Sequence, residues 1–122
     1  VTVHCTTTVS GLQVPTVIDG DETLAACRAS GGTGHLVTDE AVFAVQRRLA
    51  REEGIFCEPA AAVPLAGALQ ALAAGELSPS ARVVCLVTGS GFKDSAAVDR
   101  MISGGACPLI DVEQLSSRLN AE

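Results

Sequence analysis

The sequence predicts an α/β fold, read as a partial three-layer αβα arrangement around a parallel sheet. Three observations predict it. Helical and extended signals alternate along the 122 residues. The run Arg-Val-Val-Cys-Leu-Val at Arg82 to Val87 is almost continuously apolar, as suits a parallel strand covered on both faces. Two further stretches, from Asp39 and from Pro59, carry helical patterns with start and stop signals. Such alternation argues for helices layered on a sheet. Only two or three strands are visible, too few to be covered on both faces alone. The piece is therefore expected to complete a larger sheet.

The elements follow in order. Val1 to Val9 is rich in Thr and Val and reads as extended. Gly11 to Pro15 is turn-like, and Asp19-Gly20-Asp21 punctuates again. Asp21 is expected to cap a helix through Leu24, Ala25 and Arg28, ended by Gly31-Gly32. His35-Leu36-Val37 is a short strand candidate. Thr38 or Asp39 then caps a helix whose stripe is Val42, Phe43, Val45 and Leu49. Gln46, Arg47, Arg48 and Arg51 are assigned to its other faces. Gly54 stops it, and Ile55-Phe56-Cys57 is a very short apolar segment. Glu58-Pro59 opens the next helix, since proline suits the first helical position. Pro64 inside that helix should remove a hydrogen bond or kink its first turns. Gly75 ends it. After the apolar run come Thr88-Gly89-Ser90-Gly91, then a short helix from Asp94 to Met101, a break at Gly104-Gly105, and a last helix from Asp111 through Leu115 and Leu119.

Composition narrows the function. The hydrophobic fraction is 48% but aromatics are only 2%, with no Trp or Tyr, so a base-stacking platform for nucleic acid is not expected. A net charge of −6 supplies no basic face. Its bland reading is solubility. The five cysteines, Cys5, Cys27, Cys57, Cys85 and Cys107, form no CxxC pair. Their pattern suits neither a disulfide framework nor a zinc site, and points to a reducing cytoplasm. No run of about 20 apolar residues is present to span a bilayer. The opening Val1-Thr2-Val3-His4 reads as a strand entered midway, which leads us to expect a piece of a longer protein.

Few residues carry chemistry on local grounds. Thr88-Gly89-Ser90-Gly91 lies at the carboxyl end of the best strand candidate, where ligands gather in open α/β sheets. Thr88 offers a hydroxyl, and the glycines allow close approach of backbone. A glycine turn after a strand is common, so this signal is weak alone. It is not a Walker loop, because no Gly-Lys-Ser/Thr follows, and Gly89 and Gly91 lack the third glycine of a dinucleotide fingerprint. Glu58 at a helix start is explained locally by the helix dipole. Ser30, Ser80, Ser90 and Ser103 lie near turns, and no Ser-His-Asp order is persuasive. His35 reads as structural. Arg47, Arg48 and Arg51 read as a solvated helix face, with a phosphate site as the minor alternative.

Three stretches in order resemble the fold type II pyridoxal-phosphate enzymes, and threonine synthases among them. They are Ser30-Gly31-Gly32 with Val37-Thr38-Asp39-Glu40; Leu49 to Ala60 (LAREEGIFCEPA) continuing to Leu65-Ala66-Gly67; and Val83 to Asp94 (VVCLVTGSGFKD). The family pattern is an EGIFxEPA helix start and, later, a strand ending in TGxGxKD. The resemblance covers residues 6–94. It departs at Thr16-Val17-Ile18-Asp19-Gly20, where Gly-Asn-Pro is expected, at Ser90, where many members carry His, and in the loosely matching Thr7 to Pro15. Related dehydratases and serine racemases carry a Ser-Gly-Gly-Asn type turn at the Thr88 position, so TGxGxKD favours threonine synthase.

The resemblance implies that residues 1–94 are the C-terminal portion of the large catalytic domain of a fold type II enzyme, with 95–122 an unassigned tail. It implies pyridoxal 5′-phosphate as cofactor, an electron sink for carbanions on an amino-acid substrate. It implies conversion of O-phosphohomoserine and water into threonine and phosphate. Thr88 would bond the cofactor's ring nitrogen, Gly89 would let the chain pass close to the ring, and Glu58 would start a helix near the active site. The family's Schiff-base lysine and glycine-rich phosphate cup lie upstream of the matched region. No catalytic residue is therefore assigned to this chain, and alone it is expected to be inactive. Its expected partners are the small amino-acid substrate, the missing N-terminal part or a partner polypeptide, and further copies of the complete enzyme. Two other readings stay open: a non-catalytic α/β module that binds a partner, and a related enzyme such as a threonine or serine dehydratase.

Overall fold

Local signals place four helices among the described residues. A computed structural model of the chain describes residues 4–103, together with 110–112, 114 and 117. The helices are α1 (Gly20–Ser30), α2 (Asp39–Glu52), α3 (Pro59–Ala73) and α4 (Ser95–Ile102). Short 3-10 turns lie at Ser10–Leu12 and Gly91–Lys93.

Helix α1 begins two residues earlier than expected. Asp19 holds the cap position and Asp21 lies in the first turn, so Asp21 is not the cap. Asp21 and Glu22 still face the positive end of the helix dipole. Gly31 ends the helix at φ 67°, a left-handed conformation that a residue with a Cβ rarely adopts. Thr38 caps α2 by accepting from the Ala41 amide at 3.2 Å. Proline at the first position starts α3, which runs continuously through Pro64. So near the helix start, the missing amide leaves only the Ala60 carbonyl without its helical donor. Asp94 caps α4, accepting from the Ala97 amide at 2.9 Å. Asp111 accepts from the Gln114 amide at 2.8 Å, as a cap would. Gly104-Gly105, Cys107, Leu115 and Leu119 lie outside the described residues.

The core lies where α2 crosses α3. Val42, Val45 and Leu49 of α2 pack with Ala61, Ala62 and Ala66 of α3, with Val9 and Cys57 completing the cluster. Small alanines on α3 allow the two helices to approach closely. Gln46 departs from the sequence expectation. It is not on an outer face but 1% exposed, the one buried polar side chain among the described residues. Arg48 does lie outside, paired with Glu52 one turn on at 3.2 Å.

Two carboxylates tie the N-terminal segment down. Asp39 accepts from Thr7 Oγ1 at 2.6 Å, the Thr8 amide at 2.6 Å and Thr8 Oγ1 at 2.7 Å. Ser10 Oγ donates to Asp94 at 2.7 Å, linking the first turn to the start of α4. In turn α4 rests on α2: Arg47 donates to the Arg100 carbonyl at 3.1 Å, and the Arg100 guanidinium stacks 4.3 Å from the Phe43 ring centre. Arg47 is thus occupied in a helix–helix contact.

The parallel sheet is absent from the described residues. Neither His35-Leu36-Val37 nor Arg82 to Val87 has a ladder partner. The one strand-like pairing is an isolated antiparallel bridge between Cys57 and Ser90. The apolar run nonetheless has two faces. Val83 and Cys85 line a groove with Leu65, Leu69 and Leu72 of α3. Val84 and Leu86 point away and are 89% and 74% exposed. This is the alternation of a strand with one face covered. A strand needs neighbours for its backbone groups, and no other segment of the described chain lies beside this one.

Candidate functional site

Two adjoining turns build the site. The segment Phe56-Cys57-Glu58 enters α3, and Thr88 to Gly91 leaves the apolar run. Two backbone hydrogen bonds clamp them: the Glu58 amide donates to the Gly89 carbonyl at 3.0 Å, and the Gly91 amide to the Phe56 carbonyl at 3.1 Å. They flank Cys57 and Ser90, which therefore face each other as a non-hydrogen-bonded pair.

The clamp brings the three sequence-predicted residues together. Thr88 Oγ1 lies 3.4 Å from Glu58 Oε1 and donates to it. Glu58 and Thr88 thus sit on the same side, 30 positions apart in sequence. Glu58 does not cap α3 with its side chain. Its carboxylate lies instead across Gly89: a Cβ on Gly89 would stand 2.5 Å from Glu58 Cδ. Gly91 plays the same part for Phe56, whose ring a Cβ would meet at 2.6 Å. Neither glycine has a positive φ. What these positions require is room, not backbone freedom. Phe56 and Phe92 close one side edge to face, with ring centres 4.9 Å apart.

Lys93 is the residue that sequence reasoning left without a role. Its ammonium pairs with Glu58 Oε2 at 3.2 Å, the carboxylate side chain being 14% exposed and the lysine 63%. The order Glu58 to Lys93 spans two elements, so no local pattern signals the pair. Cys57 behind them is buried. Burial pushes its thiol up, a backbone hydrogen bond at the same residue opposes this, and the neighbouring Glu58 adds to the rise. It is a packed thiol, not a nucleophile.

The remaining candidates lie elsewhere. His35 stands 3.7 Å from Glu76, beyond the end of α3. The apolar recess between α2 and α3, lined by Val45, Leu49, Leu65 and Leu69, contains none of the site residues. Cys5, Cys27, Cys57 and Cys85 are free thiols, and the described residues hold no cluster of metal-ligating side chains. Among them no helix is long and apolar enough to cross a membrane.

A family model for pyridoxal-phosphate dependent enzymes matches residues 1–89. The chain belongs to this family. The match takes in Glu58, Thr88 and Gly89, and stops just before the rest of the turn. Curated relatives agree. A threonine synthase of Methanocaldococcus jannaschii is 38% identical over 94 residues, covering 77% of this chain and 23% of that protein. One from Synechocystis sp. is 40% identical over 91 residues, 75% of this chain and 23% of the relative. A Mycobacterium tuberculosis threonine synthase is 34% identical over 91 residues, 75% and 25%. The chain thus spans about a quarter of the length of the curated relatives it matches.

The family's cofactor is pyridoxal phosphate, and the site's donors suit its pyridine ring. A hydroxyl carries one hydrogen, which Thr88 directs at Glu58, so donating to a ring nitrogen would mean leaving that contact. That contact is longer than the usual hydroxyl–oxygen distance of about 2.7–2.8 Å, so the hydroxyl changes partner at small cost. Thr88 and Gly89 are also accessible from one side.

Proposed function

We propose that residues 1–94 are the C-terminal portion of the large domain of a pyridoxal-phosphate lyase. The intact protein would convert O-phosphohomoserine and water into threonine and phosphate. Residues 95–122 follow that portion. The observation that carries this reading is the convergence of Thr88, Gly89 and Glu58 within one clamped pair of turns, in a chain whose curated relatives are threonine synthases.

In this reading Thr88 Oγ1 turns from Glu58 to the ring nitrogen of the cofactor. A neutral hydroxyl there leaves that nitrogen largely unprotonated. Glu58, released by the hydroxyl, keeps its ion pair with Lys93. Gly89 keeps the backbone close, since any side chain would collide with the Glu58 carboxylate. Pyridoxal phosphate, when bound, supplies the sink for charge developing on the amino-acid substrate.

One feature supports completion by further chain. The exposed Val84 and Leu86 form the uncovered face of the apolar run. That face is what the outer layer of a three-layer αβα sheet would cover, while neighbouring strands would pair with its edges. The covalent anchor and the phosphate cup would come from the same missing part. A decisive test is reconstitution. The chain is mixed with the upstream part of its own protein, and the cofactor's absorption and threonine formation are followed. Restoration of both supports the reading. Turnover of O-phosphohomoserine by this chain alone would overturn it.

A further inference from the structure

We infer that Gln46 is the positioning residue of the Thr88–Glu58 site, an inference that rests on the cofactor reading above. Gln46 sits in the middle of α2, and its Nε2 donates to the Cys57 carbonyl at 2.8 Å, in a buried contact. The carbonyl has nowhere else to turn. Cys57 and Ser90 form a non-hydrogen-bonded pair, so the Cys57 carbonyl points away from the Ser90 strand. The Gln46 amide occupies the place that the next strand's amide would fill in a sheet.

The connection to the site is short and covalent. The peptide whose oxygen Gln46 holds is the one whose nitrogen, that of Glu58, donates to Gly89. Gln46 therefore fixes the plane of the peptide that clamps the two turns. Tilting that plane moves Glu58 relative to Thr88, whose contact is already long at 3.4 Å. Gln46 is itself rigid. It is 1% exposed, with Phe43, Arg47, Ala97, Arg100 and Met101 around the recess beside it. A buried carbonyl deprived of its donor carries the full desolvation penalty, so the segment would shift to recover a partner.

The test uses the complete protein that carries this chain, with and without pyridoxal phosphate. Gln46→Met keeps the length and removes the donor; Gln46→Leu removes it with a shorter apolar side chain. In the ligand-free protein, amide exchange at Glu58 and Gly91 should speed about tenfold or more in both variants, while amides in the second half of α3 keep their protection. Pyridoxal phosphate retention should weaken about tenfold, with the cofactor's absorption band displaced. If the two amides respond but even the unaltered protein never binds the cofactor, the cofactor reading fails and the positioning role stands. If the cofactor binds and the amides are unchanged in both variants, the inference is overturned. Failure of both variants to fold would also overturn it, by making Gln46 a residue of stability alone.

Discussion

Lys93 Nζ and Glu58 Oε2 stand 3.2 Å apart, and the same carboxylate accepts from Thr88 through its other oxygen. The lysine is mostly exposed, so the pair adds little to stability, in the range of about 0–1 kcal/mol. Its importance is orientation. The ammonium also lies 3.5 Å from Oε1, the oxygen that faces Thr88, so it spans both carboxylate oxygens and sets how the group is turned.

Thr88→Val keeps the shape and removes the hydroxyl. Pyridoxal phosphate binding to the complete protein should weaken by about 1–3 kcal/mol, the cost of one buried hydrogen bond. Spectrophotometric titration measures it. Unchanged affinity together with unchanged turnover would remove Thr88 from the site.

Gly89→Ala places a methyl against the end of the Glu58 side chain. That side chain is flexible, so it should swing aside rather than unfold the protein. The melting temperature should change little, while Glu58 loses Thr88 and Lys93 and cofactor affinity falls. A structure of the variant with Glu58 unmoved would refute the argument.

Asp39 governs acid behaviour. Thr7, then the amide and hydroxyl of Thr8, hold its carboxyl below the usual carboxylate range. Asp94 is lowered likewise, first by Ser10 and then by the Ala97 amide. A depressed folded value means the contribution is complete above the unfolded value, about 3.9, and is lost as pH falls through the folded one. Thermal melts between pH 6 and pH 2 (about the span of interest) should show a smaller acid loss in Asp39→Asn than in the unaltered chain. Equal losses would show that the Thr7-Thr8 anchor does not sense pH.

The chain alone should form no threonine and should not hold the cofactor in a specific covalent linkage. Its only lysine is Lys93, and that amine is engaged by Glu58. Borohydride reduction with peptide mapping checks this. Weak labelling scattered over Lys93 and the α-amino group is the expected result. Stoichiometric labelling of Lys93 with turnover would contradict it.

Helix ends were legible because their causes are local. Thr38, Pro59, Asp94, Gly31, Gly54 and Gly75 each act on backbone groups within one turn. The apolar stripe of α2 was likewise written in its period, with Val42, Val45 and Leu49 buried as read. Asp21 missed the cap by two positions, since Asp19 and Asp21 offer the same chemistry and only the backbone chooses between them. The site residues Glu58, Thr88 and Gly89 came from motif order rather than from physics. Nothing local distinguishes Glu58 from an ordinary charge at a helix start.

The sequence by itself determined the starts of α2, α3 and α4, the apolar stripe of α2, and that Arg82 to Val87 is extended in character. Tertiary structure alone decided that Gln46 turns inward, that Asp39 and Asp94 bind the N-terminal segment, and that Lys93 meets Glu58. The physical reason is range. Capping and periodicity act within a turn or two of the chain, so residue type and spacing encode them. The partner of a buried carbonyl or a carboxylate is whichever donor the packed helices deliver to it. For Cys57 that donor comes from 11 positions away, and for Glu58 from 35. The sheet is the same case: its apolar strand is written in the chain, but a ladder exists only where a neighbour lies beside it.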